Sequence, residues 1–382
     1  MEQKILKYLE KIENGYLKII TPNDKIIEIG DKKSKIQADI TICDWEFIDL
    51  ILLQGDIGFG KAYIKEIFKT TKLDQLLDFI TANQKQLEPL FHSNILYSAF
   101  FLIKNLFKKN SLKGSKKNIE YHYDLGNDFY SLWLDKTMSY SSGIFKDQCS
   151  LIESQKNKYH HILDKINPNG KNILEIGCGW GGFIAEASKR GYYVKGLTLS
   201  NEQKSYADNL IKENSLQANI FLQDYRLERG KFDNIVSIEM FEAVGKDYWN
   251  EYLAKIKECL KKDGRAIIQT IVIDDPYYNK YLKTSDYIRE YIFPGGFLTS
   301  PNIFKKLAQN NDLKIIDEFK FANSYKITLL KWLDNFNNKK SEILKLGYSE
   351  EFFRKWQFYL AYCAAGFSSK RTNIVQYSLA HK

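Results

Sequence analysis

The sequence predicts an α/β protein in two parts: a smaller N-terminal α+β domain over residues 1–90 and a larger domain over residues 119–382. Three observations carry this reading. The chain has 382 residues, 44% of them hydrophobic, enough for more than one small core. Beyond residue 119, apolar runs of strand length alternate with helical stretches, the pattern of a parallel sheet with crossover helices. Before residue 90 the pattern mixes short strand-like runs with a helix and shows no such alternation.

In order along the chain, Gly15–Ile20 reads as a strand and Leu73–Asn83 as a helix. Residues 91–118 form a basic linker, with an apolar front half from Ile95 to Ile103 and six lysines between Lys104 and Lys117. Asn172–Ile176 is the clearest strand, followed by glycines and a helix over Gly182–Arg190. A second strand, Tyr193–Leu197, leads into a helix opened by Ser200, with Gln203 completing a capping-box pattern. Asn219–Leu222, Phe232–Ile238 and Ala266–Ile271 continue the strand series, and several aromatic helices are expected to close the chain.

Composition narrows the function. The net charge of +9 points to an anionic partner, either nucleic acid or a phospholipid surface. No nucleic-acid-binding module or stacking motif is visible, so no nucleic acid is expected. The basic linker reads either as a solvated helix end or as a strip lying on anionic lipid. Cys43, Cys149, Cys178, Cys259 and Cys363 are scattered without a CxxC pair or a histidine cluster. That argues against disulfides and metal, and for a reducing compartment. Neither a signal peptide nor an apolar run long enough to span a bilayer is expected.

The segment Glu175-Ile176-Gly177-Cys178-Gly179-Trp180-Gly181-Gly182 follows a strand and opens a helix, as in Rossmann-like folds. Glycines let the backbone turn sharply and approach a ligand with no side chain between. A bare GxGxxG is weak, but two features point away from a dinucleotide. Glu175 offers a carboxylate to an ammonium-bearing ligand, where a pyrophosphate site would not. At the end of the next strand stands Thr198, not the acid that reads a nicotinamide ribose. Further on, Tyr225 can stack on an adenine while Asp224 reads its edge; a plain surface turn is the other reading.

These residues resemble the cyclopropane fatty acid synthase family, class I methyltransferases dependent on S-adenosylmethionine. The likeness runs through Gly55–Tyr63, Tyr121–Tyr130, Met138-Ser139-Tyr140-Ser141-Ser142, the glycine loop, Gly196-Leu197-Thr198-Leu199-Ser200 with Gln203, Met240-Phe241-Glu242, and Ser324-Tyr325 to Trp332. It implies a Rossmann-like domain whose cofactor pocket includes Tyr123, Tyr140, Ser141, Gly177, Thr198, Leu199, Gln203 and Tyr225, with Glu175, Gly179, Gly181 and Asp224 from the loop and rim. It also implies a bicarbonate ion beside the transferred methyl, held by Glu242, Tyr325 and the backbone of Ile271. Three positions depart from the best-known members: Ser142 stands for Cys, Gln269 for His and Glu239 for Gly. Ala243 likewise replaces a His. A carboxylate at 239 either takes over from the ion as base or points to another part of the chain.

The implied reaction explains the residue types. An isolated alkene is a weak nucleophile, so it needs a sulfonium methyl donor in a dry pocket. The resulting cation loses a proton from the new methyl to close a ring, which requires a weak base close by. The expected substrate is an unsaturated phospholipid at the membrane surface, met by a cytoplasmic enzyme peripheral on the inner membrane face; a homodimer is one option. The segment from Asp275 to Phe293 is the best candidate for a substrate cover. The rivals are a methyl-branched or methylene lipid product, methylation of a small amine, and a non-enzymatic lipid-binding protein with the same fold.

Overall fold

The structure, a computed structural model, describes residues 9, 11–87 and 125–382. The basic linker and Tyr123 lie outside the described residues.

The N-terminal part contains a four-stranded sheet of order β2-β1-β3-β4, from Tyr16–Ile20 (β1), Ile26–Gly30 (β2), Gln37–Ile42 (β3) and Phe68–Lys69 (β4). Along β1 and β3, buried residues alternate with more accessible ones, the period-2 signature of a sheet with one covered face. The helix Leu73–Ala82 buries Leu73, Leu76, Leu77 and Phe79, as its i, i+3, i+4 spacing requires. This core is continuous with that of the C-terminal aromatic helices. Phe59 packs on Phe358 with ring centroids 6.0 Å apart, and the Tyr63 hydroxyl donates to Gln357 Oε1 at 2.5 Å. A Cβ on Gly60 would fall 2.4 Å from the Tyr287 ring, so only glycine permits that approach.

The larger sheet has seven strands in the order β10-β11-β9-β8-β5-β6-β7. Asn172–Ile176 (β5), Tyr193–Thr198 (β6), Ala218–Leu222 (β7), Phe232–Ile238 (β8) and Leu260–Ile273 (β9) run parallel, at the places the sequence predicts. The expected aromatic helices are present at Ala322–Asn338 and Glu350–Ser368. The expectation that helices close the chain needs correction. Leu313–Lys320 (β10) precedes those helices, and Thr372–His381 (β11) inserts antiparallel between β9 and β10. Residues Ile374–Leu379 of β11 are buried without a break, so the strand lacks the alternation that would reveal it.

In this order the chain leaves β5 for β6 on one side and for β8 on the other. The crevice outside the carboxyl ends of β5 and β8 is therefore the topological switch point, where open α/β sheets bind ligands. Gly177 and Glu239 each follow the last residue of those two strands.

Candidate active site

A cavity of about 150 Å³ opens at this switch point. One wall is backbone. Gly177 and Cys178 donate their N–H groups to Leu197 O, each at 3.0 Å, tying the loop to the end of β6. Gly179 has φ +53°, and a Cβ there would meet no protein atom within 4 Å, because it would stand in the open cavity. One oxygen of Glu175 is buried without a partner, leaving an acceptor for an ammonium. At the end of β6 the Thr198 hydroxyl donates to Gln203 Oε1 at 2.9 Å. Ser200 caps the following helix by accepting from the Gln203 N–H, but the Gln203 side chain serves Thr198, so the reciprocal bond of a capping box is not made.

The opposite wall is acidic. Glu239 adopts φ +51°, a left-handed conformation that costs a residue with a side chain roughly 1 kcal/mol. Its Oε1 accepts from the Ser142 N–H at 2.8 Å and from Gln269 Nε2 at 2.7 Å, and its Oε2 from the Tyr325 hydroxyl at 2.5 Å. Glu242 stands beside it, with Oε1 accepting from the Thr270 hydroxyl at 3.1 Å and from the Ile271 N–H. Its Oε2 is buried without a partner. Burial first, and the charge of Glu239 second, push the Glu242 carboxyl up to about 8. Burial also raises Glu239, but Tyr325, Lys158, Ser142 and Gln269 pull it back. Two carboxylates in contact disfavour double ionisation, so the pair shares a proton at neutral pH.

Most of the sequence-predicted residues meet here. Tyr140, Ser141, Glu175, Gly177, Gly179, Thr198, Leu199, Gln203, Asp224, Tyr225 and Glu239 all line the cavity. Gly181 does not; its φ of +90° turns the chain into the helix Gly182–Lys189. Asp224 is at the rim, but Arg226 takes both its oxygens, at 2.9 and 2.6 Å, so it is poorly placed to read a base edge alone. Ser142 contributes its backbone N–H, while its hydroxyl donates to Gly143 O at 2.9 Å. Tyr325 pairs with Glu239, not with the Glu242 that the resemblance sets beside it. The suggested cover packs its Phe293 ring against Tyr140, with centroids 6.5 Å apart, and against Tyr359 at 6.0 Å.

Three residues were not anticipated: Lys158, Gln376 and His161. Lys158 is fully buried, donates to Ser141 Oγ at 2.5 Å, and is lowered to about 8 by burial, against the opposing charges of Glu239, Asp135 and Glu175. The signal was present: along Leu151–Lys165 the buried positions 151, 154, 155, 158, 159, 162 and 163 form one helical stripe, and a lysine on such a stripe is out of place. Gln376 on β11 donates to Gln269 Oε1 at 2.8 Å, and its own Oε1 pairs with His161 Nδ1 at 2.6 Å. This chain of amides turns the Gln269 Nε2 toward Glu239. No local pattern announces it.

Comparison with known proteins bears on this geometry. The profile of the family described as mycolic acid cyclopropane synthetase matches residues 110–377. A tuberculostearic acid methyltransferase, UfaA1 of Mycobacterium tuberculosis, is 32% identical over 339 residues, spanning 85% of this chain and 79% of that protein. The cyclopropane-fatty-acyl-phospholipid synthase of Escherichia coli is 32% identical over 345 residues, 89% of this chain and 87% of the relative. The solved structure of the mycolic acid cyclopropane synthase CmaA1, complexed with SAH and CTAB, is similar at a TM-score of 0.65 and 29% identity, covering 70% of this chain and 98% of that one. The fold, the glycine-lined cavity and these likenesses agree: the chain belongs to the mycolic acid cyclopropane synthetase family and is an S-adenosylmethionine-dependent methyltransferase.

Proposed function

We propose that the enzyme adds the methyl carbon of S-adenosylmethionine to the cis double bond of an unsaturated phospholipid acyl chain, closing a cyclopropane ring. The observation that carries this reading is the shared cavity: Glu239, among donors and beside Glu242, faces the same space as the glycine loop. A developing carbocation beside the donor is stabilised by that negative charge and by the aromatic shell of Tyr140, Phe293 and Tyr359. Amine methylation requires neither feature.

When bound, the donor supplies an electrophilic methyl. The chain's residues would hold it: Glu175 would take the ammonium, the loop backbone would line its site, and Tyr225 lies at the rim. The alkene π pair forms the new C–C bond as the C–S bond breaks, leaving the thioether and a cation on the second alkene carbon. Loss of a proton from the new methyl then closes the ring.

A second reading shares the first step. A hydride shift to the cationic carbon, followed by loss of a methyl proton, gives an exocyclic methylene. The likeness to a tuberculostearic acid methyltransferase and the carboxylate at position 239 favour keeping this product in view. Lipid mass spectrometry of cells expressing the chain tests both. A gain of one CH2 on unsaturated chains is expected; resistance of the product to alkene-specific hydrogenation marks the ring, and reaction marks the methylene.

The setting proposed for this chemistry is the inner membrane face. Residues 1–90 and the basic linker would engage the anionic surface, whether as a monomer or a homodimer. Among the described residues no helix is long and apolar enough to cross a membrane. Vesicle binding that weakens with added salt supports surface docking, since screening shortens the reach of lysine charges.

A further inference from the structure

The resemblance implies a bicarbonate ion as the base, and the residues present do not fit one. The donors that would hold it are all engaged with protein carboxylates. Tyr325 donates its hydroxyl to Glu239 at 2.5 Å, and Gln269, at the position of the family's histidine, donates Nε2 at 2.7 Å. The Ser142 N–H adds a third bond at 2.8 Å, and the Ile271 N–H is taken by Glu242. The orientation of Gln269 is not free either, because Gln376 donates to its oxygen at 2.8 Å. Glu239, just after β8, is thus gripped from three elements: the loop after Tyr140, β9 and the helix Ala322–Asn338. It holds a left-handed backbone angle, φ +51°, that glycine would take freely. Such strain persists when surrounding contacts over-determine it, and it clusters at functional positions.

We infer that Glu239 is the proton acceptor built into this chain, standing where relatives with glycine leave room for a free ion. The inference rests on the alkene-methylation reading above and deepens it. The Glu239 carboxylate accepts the proton lost from the transferred methyl; the C–H pair becomes the second C–C bond of the ring, or the new double bond of a methylene. The carboxylic acid so formed returns its proton to solvent when the product leaves. A side chain tethered at a strand end cannot diffuse away, and three donors leave it a weak nucleophile that does not trap the cation. Lys158, buried behind Ser141, and Gln269 are positioning residues that favour its ionised form.

The test exchanges the built-in acceptor for a free one. In Glu239→Gly the donors are released, and the backbone angle suits glycine. In buffer stripped of carbon dioxide, the wild type should turn over unchanged when bicarbonate is added. Glu239→Gly should lose on the order of 10²-fold in rate and recover part of it with bicarbonate. Titration with ¹³C-bicarbonate followed by NMR should show binding to Glu239→Gly and none to the wild type. Glu239→Gln, which keeps shape and removes charge, should lose a similar factor while retaining donor affinity by calorimetry, and serves if the glycine variant is unstable. Stimulation of the wild type by bicarbonate, or near-normal turnover of Glu239→Gln, overturns the inference and leaves alkene methylation standing. If the wild type alters no acyl chain, that reading fails instead. The NMR titration then still decides whether Glu239 occupies the ion's place, and binding to the wild type refutes it.

Discussion

The two walls of the cavity are built on opposite principles. The wall at the end of β5 is backbone: two glycines at positive φ, amides tied to Leu197, and one acceptor oxygen left on Glu175. The wall at the end of β8 is charge: Glu239 faces the cavity, Glu242 is buried beside it, and the charge of Lys158 acts on both Glu239 and Glu175. A backbone wall gives shape, needs few specific partners and holds a ligand wherever its length runs. A charged wall must be neutralised and donated to from several elements, or burial would discharge it. On the proposed reading binding belongs to the first wall and chemistry to the second, and each should be breakable without the other.

The sharpest break is Gly179→Val. A branched side chain there is strained at φ +53° and stands in the cavity, so donor binding should fall below detection by calorimetry while the fold survives. Unchanged affinity would mean that the donor does not lie along this loop.

Tyr325→Phe removes one hydroxyl from the charged wall. Turnover should fall on the order of 10²-fold with donor affinity retained, the scale of a lost electrostatic or proton-handling contact. Glu242→Gln sharpens the contrast. Burial and the charge of Glu239 push Glu242 up to about 8, so the amide mimics its protonated form, and the amide oxygen can still accept from Ile271. Its loss should be smaller than that of Tyr325→Phe, because the substitution replaces a protonated carboxyl by a neutral amide. A larger loss than in Tyr325→Phe would reverse the roles given to the two carboxylates.

Lys158→Met tests the link between the walls and should have the smallest effect. Its positive charge lowers the pKa of both Glu239 and Glu175. Without it Glu239 holds its proton to higher pH, so the acidic limb of the rate profile should move to higher pH. A limb that stays in place, or moves down, would show that Lys158 does not act on the base.

Much of this was legible in the residue order. The five parallel strands, the glycine turn and Thr198 at the end of β6 follow from local constraints: apolar runs of strand length, and backbone angles that only glycine takes easily. Glu239 could be singled out as a carboxylate in an unexpected place, but its two readings could not be separated. What separates them is the convergence of Ser142, Gln269 and Tyr325 on one carboxylate from segments 97, 30 and 86 residues away. The orientation of Gln269 depends on Gln376, on a terminal strand that sheds its alternation by being buried on both faces. Local sequence specifies what a backbone can do at one place; the protonation state and partners of a buried charge are set by everything packed around it, and only the tertiary structure decides that.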